Sequence, residues 1–156
     1  MDWTALLKAT AICFISIIIE AISASKDGKQ WFENLKRPAY SFSLQFWYVV
    51  GAVYYLFFGF IAYRLFALEM SFTSTPVILL LLIMLLNGLV NFIAFKYRSL
   101  KWFYLILYPF SILVMALIVL LLSIDTISAL LACIYFLWLL YDLYYAYHLW
   151  KLNKQM

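Results

Sequence analysis

Residues 31–59 read WFENLKRPAYSFSLQFWYVVGAVYYLFFG, in which a polar loop with a basic pair and a proline leads directly into an apolar helix rich in aromatic rings. A membrane anchor needs only apolar bulk, which Leu and Val supply more simply. So many Trp and Tyr side chains therefore indicate either the wall of a site for a flat apolar ligand or a lid over such a site.

The rest of the chain extends this apolar character. Of its 156 residues 69% are hydrophobic and 12% charged, whereas a soluble domain is roughly half apolar and about a quarter charged. Continuous apolar runs of the length that a bilayer core requires, about 20 residues, favour helices over a barrel. We predict an all-α membrane protein, a five-transmembrane-helix bundle forming a single domain over residues 1–156. The predicted helices lie at about 3–24, 44–68, 77–95, 102–122 and 127–150, with a lid loop at about 25–43.

Basic residues predict the orientation. Five spans place nine of the eleven Lys and Arg residues on one side, and only Lys8 and Arg64 on the other. The positive-inside rule then predicts an N-terminus outside and a C-terminus in the cytosol. This topology accounts for the excess of basic residues behind the net charge of +4. The expected partner is therefore a lipid bilayer, and no nucleic acid is expected. The absence of an N-terminal targeting segment favours a bacterial inner membrane over a mitochondrial outer membrane.

Four polar residues fall inside the predicted spans, in the half of the membrane on the lid side: Glu20, Asn87, Asn91 and Asp142. An intramembrane carboxyl is costly unless it is paired, protonated or hydrated, so it indicates function. Interhelical hydrogen bonding is the alternative, especially for the two Asn residues. Asp142 has no basic partner at its depth and is expected to face a ligand or water, whereas Glu20 is expected to reach Lys26 or solvent. No cluster of residues has metal-ligand spacing, and no metal or cofactor is predicted.

Several motifs occur in an order typical of one family. The loop WFENLKRPAYSFS is similar to W-[YF]-x-x-L-x-[KR]-P-x-W-T-P-P, with Tyr40 in place of the second Trp. In the predicted third helix LLNGLVNF keeps two Asn residues, and in the fifth IYFLWLLYDLYYA keeps Tyr135, Trp138 and Tyr141. The chain therefore resembles the translocator protein family (TspO/MBR, tryptophan-rich sensory proteins, peripheral benzodiazepine receptors) over essentially its whole length.

The resemblance implies a five-helix bundle, often a homodimer, with a cavity in the cytosolic half that the first connection covers. Ligands of the family are porphyrins, cholesterol and benzodiazepine-type drugs. The ligand-binding residues carried over by position or by helix face are Tyr40, Trp47, Gly51, Asn87, Asn91, Tyr135, Trp138, Tyr141 and Asp142. The lid residues are Trp31, Phe32, Leu35 and Pro38.

Two departures from the family pattern bear on function. Gly51 stands where the family commonly places a Trp that is tied to light-dependent porphyrin breakdown, which argues against that activity here. Trp47, four residues earlier on the same helix face, would partly fill the gap. Asp142 replaces a small Ala that touches ligand, and would either favour a cationic or hydroxylated ligand or narrow the cavity.

We therefore expect a TspO-like membrane receptor or sensor that binds a flat hydrophobic ligand, a tetrapyrrole or a sterol, and assign no catalytic residue. Leu143, Tyr147 and Lys151 have the spacing of a weak cholesterol motif. One alternative is a membrane enzyme acting on a lipid-soluble substrate, for which Glu20, Asp142 and His148 are the acid–base candidates. Another is a small carrier, although the sequence has no inverted repeat.

Overall fold

The computed structural model describes residues 2–23 and 26–154, and within them it contains helices and no strand. Five of the described helices are long and apolar enough to cross a membrane, so the predicted all-α five-helix architecture is confirmed, while its orientation stays a prediction. They are α1 (Trp3–Ser23), α3 (Leu44–Ala67), α4 (Thr75–Asn91), α5 (Leu100–Ile124) and α6 (Thr126–Leu152). A short helix, α2 (Lys26–Glu33), follows α1, and a π-helical turn (Phe92–Lys96) continues α4.

Local chemistry sets several of the helix ends. Ser43 caps α3, because its Oγ accepts a hydrogen bond of 3.3 Å from the backbone N–H of Phe46. Pro76 lies in the first turn of α4, where a missing N–H breaks no intrahelical bond. Asp125 alone separates α5 from α6. With so short a connection, α5 and α6 run in opposite directions.

The long helices pack around a common apolar core. α1 packs against α3 and α4, and α5 packs against α4 and α6. Fully buried side chains from four of the helices meet at the centre, including Phe58, Leu65, Leu80, Leu117 and Leu139. Removing such side chains from solvent or lipid into close contact gives the bundle its dispersion energy.

An ion pair closes the end of the bundle that lies away from α2. The guanidinium of Arg64 donates from Nε and Nη2 to the two carboxylate oxygens of Asp125, at 3.0 and 2.7 Å. Ser128 donates from Oγ to Asp125 Oδ2 at 2.5 Å. These bonds join α3 to the corner between α5 and α6, and they hold the pKa of Asp125 down at about 2, because the hydrogen bonds from Arg64 outweigh the effect of burial.

Residues 26–43, here called the lid segment, are not the continuous loop that the sequence predicted. Their first part is the helix α2, which the polar composition of the stretch concealed. Phe32 and Leu35 are 6% and 5% exposed and form a small second core with Leu100, Tyr145 and Leu149. Packing of these two apolar side chains therefore stabilises a helix too short to be stable alone.

Two hydrogen-bonded contacts fasten the lid segment to α6. The side-chain amide of Asn153 accepts from the backbone N–H of Lys36 and donates to its carbonyl, both at 3.0 Å, and it also donates to Leu149 at 2.8 Å. Further along, the hydroxyl of Tyr141 donates to the carbonyl oxygen of Tyr40 at 2.8 Å. The lid segment is thus held by the C-terminal half of the last helix.

Candidate ligand cavity beneath the lid segment

A cavity of about 160 Å³ lies beneath the lid segment, at the level where α1 ends, α3 begins, α4 ends and α5 begins. It receives side chains from all five long helices, from α2 and from the π-helical turn. The π-helical turn contributes Ala94 and Phe95, and Phe95 packs on Phe32 of the lid segment with ring centroids 5.2 Å apart. Other lining residues include Trp47, Gly51, Tyr54, Asn87, Asn91, Phe103, Tyr135, Trp138 and Tyr145.

Aromatic rings form much of the cavity wall. Trp47 meets the edge of Trp138 with centroids 5.4 Å apart and lies 5.1 Å from the ring of Tyr145. Deeper in the bundle, the rings of Tyr54 and Tyr135 are 5.2 Å apart. Such tilted and edge-on pairs are the favoured geometries for quadrupolar rings.

The carboxylate of Glu20 is held by hydrogen bonds from α3 and α4. Its Oε2 accepts a hydrogen bond of 2.6 Å from the hydroxyl of Tyr55, and its Oε1 accepts one of 3.0 Å from the amide of Asn91. Asn91 also donates to the carbonyl of Asn87 at 3.2 Å. Glu20 lines the cavity, bonded to α3 and α4, where the sequence had suggested a reach toward the membrane interface.

Four buried side-chain polar atoms in the described part of the chain lack a hydrogen-bond partner: Trp47 Nε1, Tyr54 Oη, Asp142 Oδ1 and Tyr145 Oη. All four residues line this one cavity. Buried polar groups in proteins are almost always hydrogen-bonded, to protein, water or ligand. The residues that carry these four unpartnered atoms thus cluster around one cavity.

An apolar groove adjoins the cavity on the flank of the bundle, between α3 and α6. Exposed side chains such as Val49, Val53 and Leu137 line its outer part. The groove and the cavity share part of their lining, so a thin partition separates them. The residues of this partition are Val50, Tyr54, Tyr135 and Trp138.

The structure places most, but not all, of the predicted ligand-binding residues around the cavity. Tyr40 lies outside the described cavity lining: the residue is 78% exposed, and its backbone carbonyl accepts a hydrogen bond from Tyr141. Tyr141 itself lines the outer groove, not the cavity. The predicted residues that do line the cavity are Trp47, Gly51, Asn87, Asn91, Tyr135, Trp138 and Asp142.

The predicted lid residues take different positions. Phe32 lines the cavity, and Leu35 and Pro38 are buried. Trp31 is half-buried and packs against the small second core. Phe42, which stands where the family motif has a proline, lies over Trp138 with centroids 5.9 Å apart. The lid segment thus covers the cavity with apolar side chains.

The remaining functional candidates lie away from the cavity. In the proposed sterol motif Leu143 packs against the main core, while Lys151 lies over the ring of Tyr147, with Nζ 5.5 Å from its centroid. His148 bonds the carbonyl of Tyr144 through Nδ1 at 2.9 Å and is not part of the described cavity lining. Its position removes it from acid–base chemistry in the cavity.

Comparison with known proteins agrees with this arrangement. The model of the TspO/MBR family matches residues 9–151. The chain belongs to the TspO/MBR family. A comparison with curated proteins gives no significant match. Family membership and five apolar helices make the chain an integral multi-pass membrane protein, and its aromatic clusters fit a membrane protein that binds a ligand.

Residues that the sequence reasoning left out also contribute to the cavity. Tyr54 and Tyr145 supply two of the unpartnered hydroxyls, and Phe103 and Phe110 bring α5 into the wall. Tyr145 lies within the quoted stretch of the last helix but is not among the ligand contacts predicted from the sequence. No signal in the sequence distinguishes Tyr54 from its neighbour Tyr55, because both lie in the same aromatic stretch.

Proposed function

We propose that the protein is a membrane receptor or sensor that binds a flat, largely hydrophobic ligand in the cavity beneath the lid segment. One observation carries the proposal: the four unpartnered buried polar atoms all belong to residues of that cavity. Aromatic faces would supply dispersion and stacking, and the polar atoms would orient the ligand.

The cavity's size bears on the ligand classes that the family resemblance implies. At about 160 Å³ it matches an engineered cavity of roughly 150 Å³ that binds benzene. One small ring system would fit without rearrangement. A complete tetrapyrrole or sterol would require displacement of the partition side chains, above all Val50 and Trp138, so that cavity and groove merge.

Ligand binding is tested by tryptophan fluorescence of the purified protein in nanodiscs. We expect saturable quenching by protoporphyrin, or saturable energy transfer to the fluorescent sterol dehydroergosterol, and a weaker response in Trp138→Ala. Trp102→Ala is the matched control, because that ring is 61% exposed and outside the described cavity lining. If neither ligand, nor the small-ring probes described below, gives saturable binding that Trp138→Ala weakens, the proposal fails.

A second candidate is an enzyme acting on a lipid-soluble substrate. It is favoured by the two carboxyls that line the cavity, since Glu20 is fully hydrogen-bonded and Asp142 has an unpartnered oxygen. Groups in such unequal environments are suited to separate acid and base roles. A variant Asp142→Asn that keeps full turnover of any substrate found would rule out this role for Asp142.

A further inference from the structure

The charge of the cavity restricts what it can hold. Among the described residues that line it, Glu20 and Asp142 are the ionisable acids, and none is Lys, Arg or His. The guanidinium carbon of Arg37 lies 5.9 Å from the centroid of the Phe32 ring, and Arg37 is not part of the described cavity lining. The charged side chains within the described lining are therefore both carboxyl groups.

Asp142, and not Glu20, has a carboxyl oxygen without a hydrogen-bond partner, although its side chain also interacts with the neighbouring Trp138. Both oxygens of Glu20 accept hydrogen bonds, from Tyr55 and Asn91. Asp142 Oδ1 is buried and accepts none from the described protein. Burial disfavours the ionised form of a carboxyl group unless a partner compensates its charge. A ligand that brings a positive charge or an N–H to this oxygen would provide such a partner.

The rings beside Asp142 suit the same kind of ligand. Trp138 lies one helical turn before Asp142 and Tyr145 nearly one turn after it, and both line the cavity with Trp47. Aromatic faces, Trp above all, attract organic cations, and cages of such rings recognise ammonium groups. A carboxylate next to these ring faces would also pair directly with the cationic group of the ligand.

We propose that the cavity binds a compact ring-bearing organic cation, an aryl or heteroaryl amine, with its ammonium or protonated ring nitrogen on Asp142 and its ring against Trp47 and Trp138. The inference rests on the proposed function, because it names the ligand class of the same cavity. The small volume of the cavity fits such a ligand. A tetrapyrrole dicarboxylate would bring like charge to Asp142 unless its carboxylates stayed outside, near Arg37.

Three probes of nearly equal shape test the inference: 2-naphthylmethylamine, 2-naphthylmethanol and 2-naphthoate. Their dissociation constants are measured by calorimetry in phosphatidylcholine nanodiscs, with protein-free nanodiscs as the control for partitioning. We expect the amine to bind about tenfold or more tightly than the alcohol, and the carboxylate to bind most weakly, as expected for a desolvated cation near rings and a carboxylate.

Asp142→Asn should lower the affinity for the amine about tenfold, while the affinity for the alcohol changes by less than about threefold. Glu69→Gln is the control for loss of a carboxylate, because Glu69 is exposed and follows the far end of α3. If Asp142→Asn does not fold, the ranking of the three probes on the unaltered protein still decides.

The outcomes separate the two proposals. Equal or tighter binding of the alcohol or carboxylate, still weakened by Trp138→Ala, overturns the cation inference and leaves the ligand-binding function standing. An amine preference that survives Asp142→Asn also overturns it. Failure of all three probes, of protoporphyrin and of the sterol contradicts the proposed function itself.

Discussion

Single glycines determine how closely the first helix approaches its neighbours. A Cβ atom built on Gly88 would lie 2.8 Å from Cγ2 of Ile19, and one on Gly59 would lie 2.9 Å from Sγ of Cys13. At Gly51 a Cβ atom would meet no heavy atom of the described chain within 4 Å. The first two positions serve helix packing, as small residues do in membrane bundles, whereas the third borders the cavity.

We expect Gly88→Ala to destabilise the protein by about 1 kcal/mol, because Ile19 is β-branched and must move together with its backbone. Gly51→Ala should be neutral or should stabilise by up to about 1 kcal/mol, since Ala is the better helix former and nothing obstructs it. Thermal unfolding in the same detergent measures both. Equal effects at the two positions would contradict the packing role of Gly88.

For single residues, part of the candidate site could be predicted from the sequence. Asn87, Asn91 and Asp142 were expected in one half of the bundle, because depth follows from counting residues along antiparallel helices. The bond between Glu20 and Tyr55 could not be predicted, since it depends on the rotation of each helix about its axis. Tyr40 was carried over from the family motif by its position, and its direction could not be inferred because a loop side chain has no periodicity.

At the scale of elements, the lid segment depends on one side-chain amide. We expect Asn153→Ala to speed amide hydrogen exchange in residues 35–40 of the lid segment, because it removes both bonds to the Lys36 peptide unit. Loss of this pair of bonds should cost about 1–3 kcal/mol of local opening free energy. Mass spectrometry of exchanged peptides measures the effect.

Tyr141→Phe provides the comparison, since it removes only the bond to the Tyr40 carbonyl. We expect faster exchange close to Tyr40 and no change at Lys36. Exchange at residues 35–40 that stays unaltered in Asn153→Ala would mean that packing of Phe32 and Leu35 alone holds the lid segment.

The ion pair between Arg64 and Asp125, at the end of the bundle opposite the lid segment, predicts that the stability of the fold depends on pH. The pKa of Asp125 is about 2 in the folded protein, below its ordinary value of 3.8. A carboxyl group whose pKa is lower in the folded than in the unfolded state stabilises the fold at any pH above its unfolded-state pKa. This stabilisation is lost as the pH falls through the folded-state pKa. Asp125→Asn should therefore cost about 1–2 kcal/mol at neutral pH, a figure reduced because the Arg64 side chain is 37% exposed.

The difference in unfolding midpoint between Asp125→Asn and the unaltered protein should shrink from about pH 4 downward and vanish below about pH 2. Asp27→Asn is the control, because Asp27 is exposed. A difference that stays constant across this range would show that the ion pair does not carry the effect.

The long helices could be predicted from the sequence and the short one could not, for a physical reason. A bilayer imposes a minimum length and continuous apolar character, which hydropathy alone detects. The eight residues of α2 fall below the length at which a helix is stable in isolation, about 12 residues. Its formation depends on the second core, a set of contacts between residues far apart in sequence.

At the scale of the whole molecule, charge asymmetry predicts the orientation in the membrane. Nine of the eleven Lys and Arg residues belong to the lid side and the C-terminus. A green fluorescent protein fused after Met156 should fluoresce in a bacterial host, because that protein folds on the cytosolic side. Alkaline phosphatase fused after residue 70, between α3 and α4, should be active on the opposite side. The reverse pattern would contradict the predicted topology.

The homodimer expected from the family resemblance also belongs to this scale and stays a prediction. Large apolar side chains such as Leu7, Leu56 and Ile112 are exposed on the outside of the bundle. Lipid tails and a second copy of the chain are equally apolar partners for them. Cross-linking in native membranes would distinguish the two.

The groove between α3 and α6 has a consequence for pharmacology. A compound reaching the binding site through this flank would be drawn from the hydrocarbon and not from the aqueous phase. The occupied fraction of the protein would then depend on the mole fraction of the compound among the lipids. A potency expressed as a concentration per litre of sample would therefore change with the amount of membrane in the assay. Acyl tails would act as ever-present weak competitors, and a change in lipid saturation would alter the dose response without any change in the polypeptide.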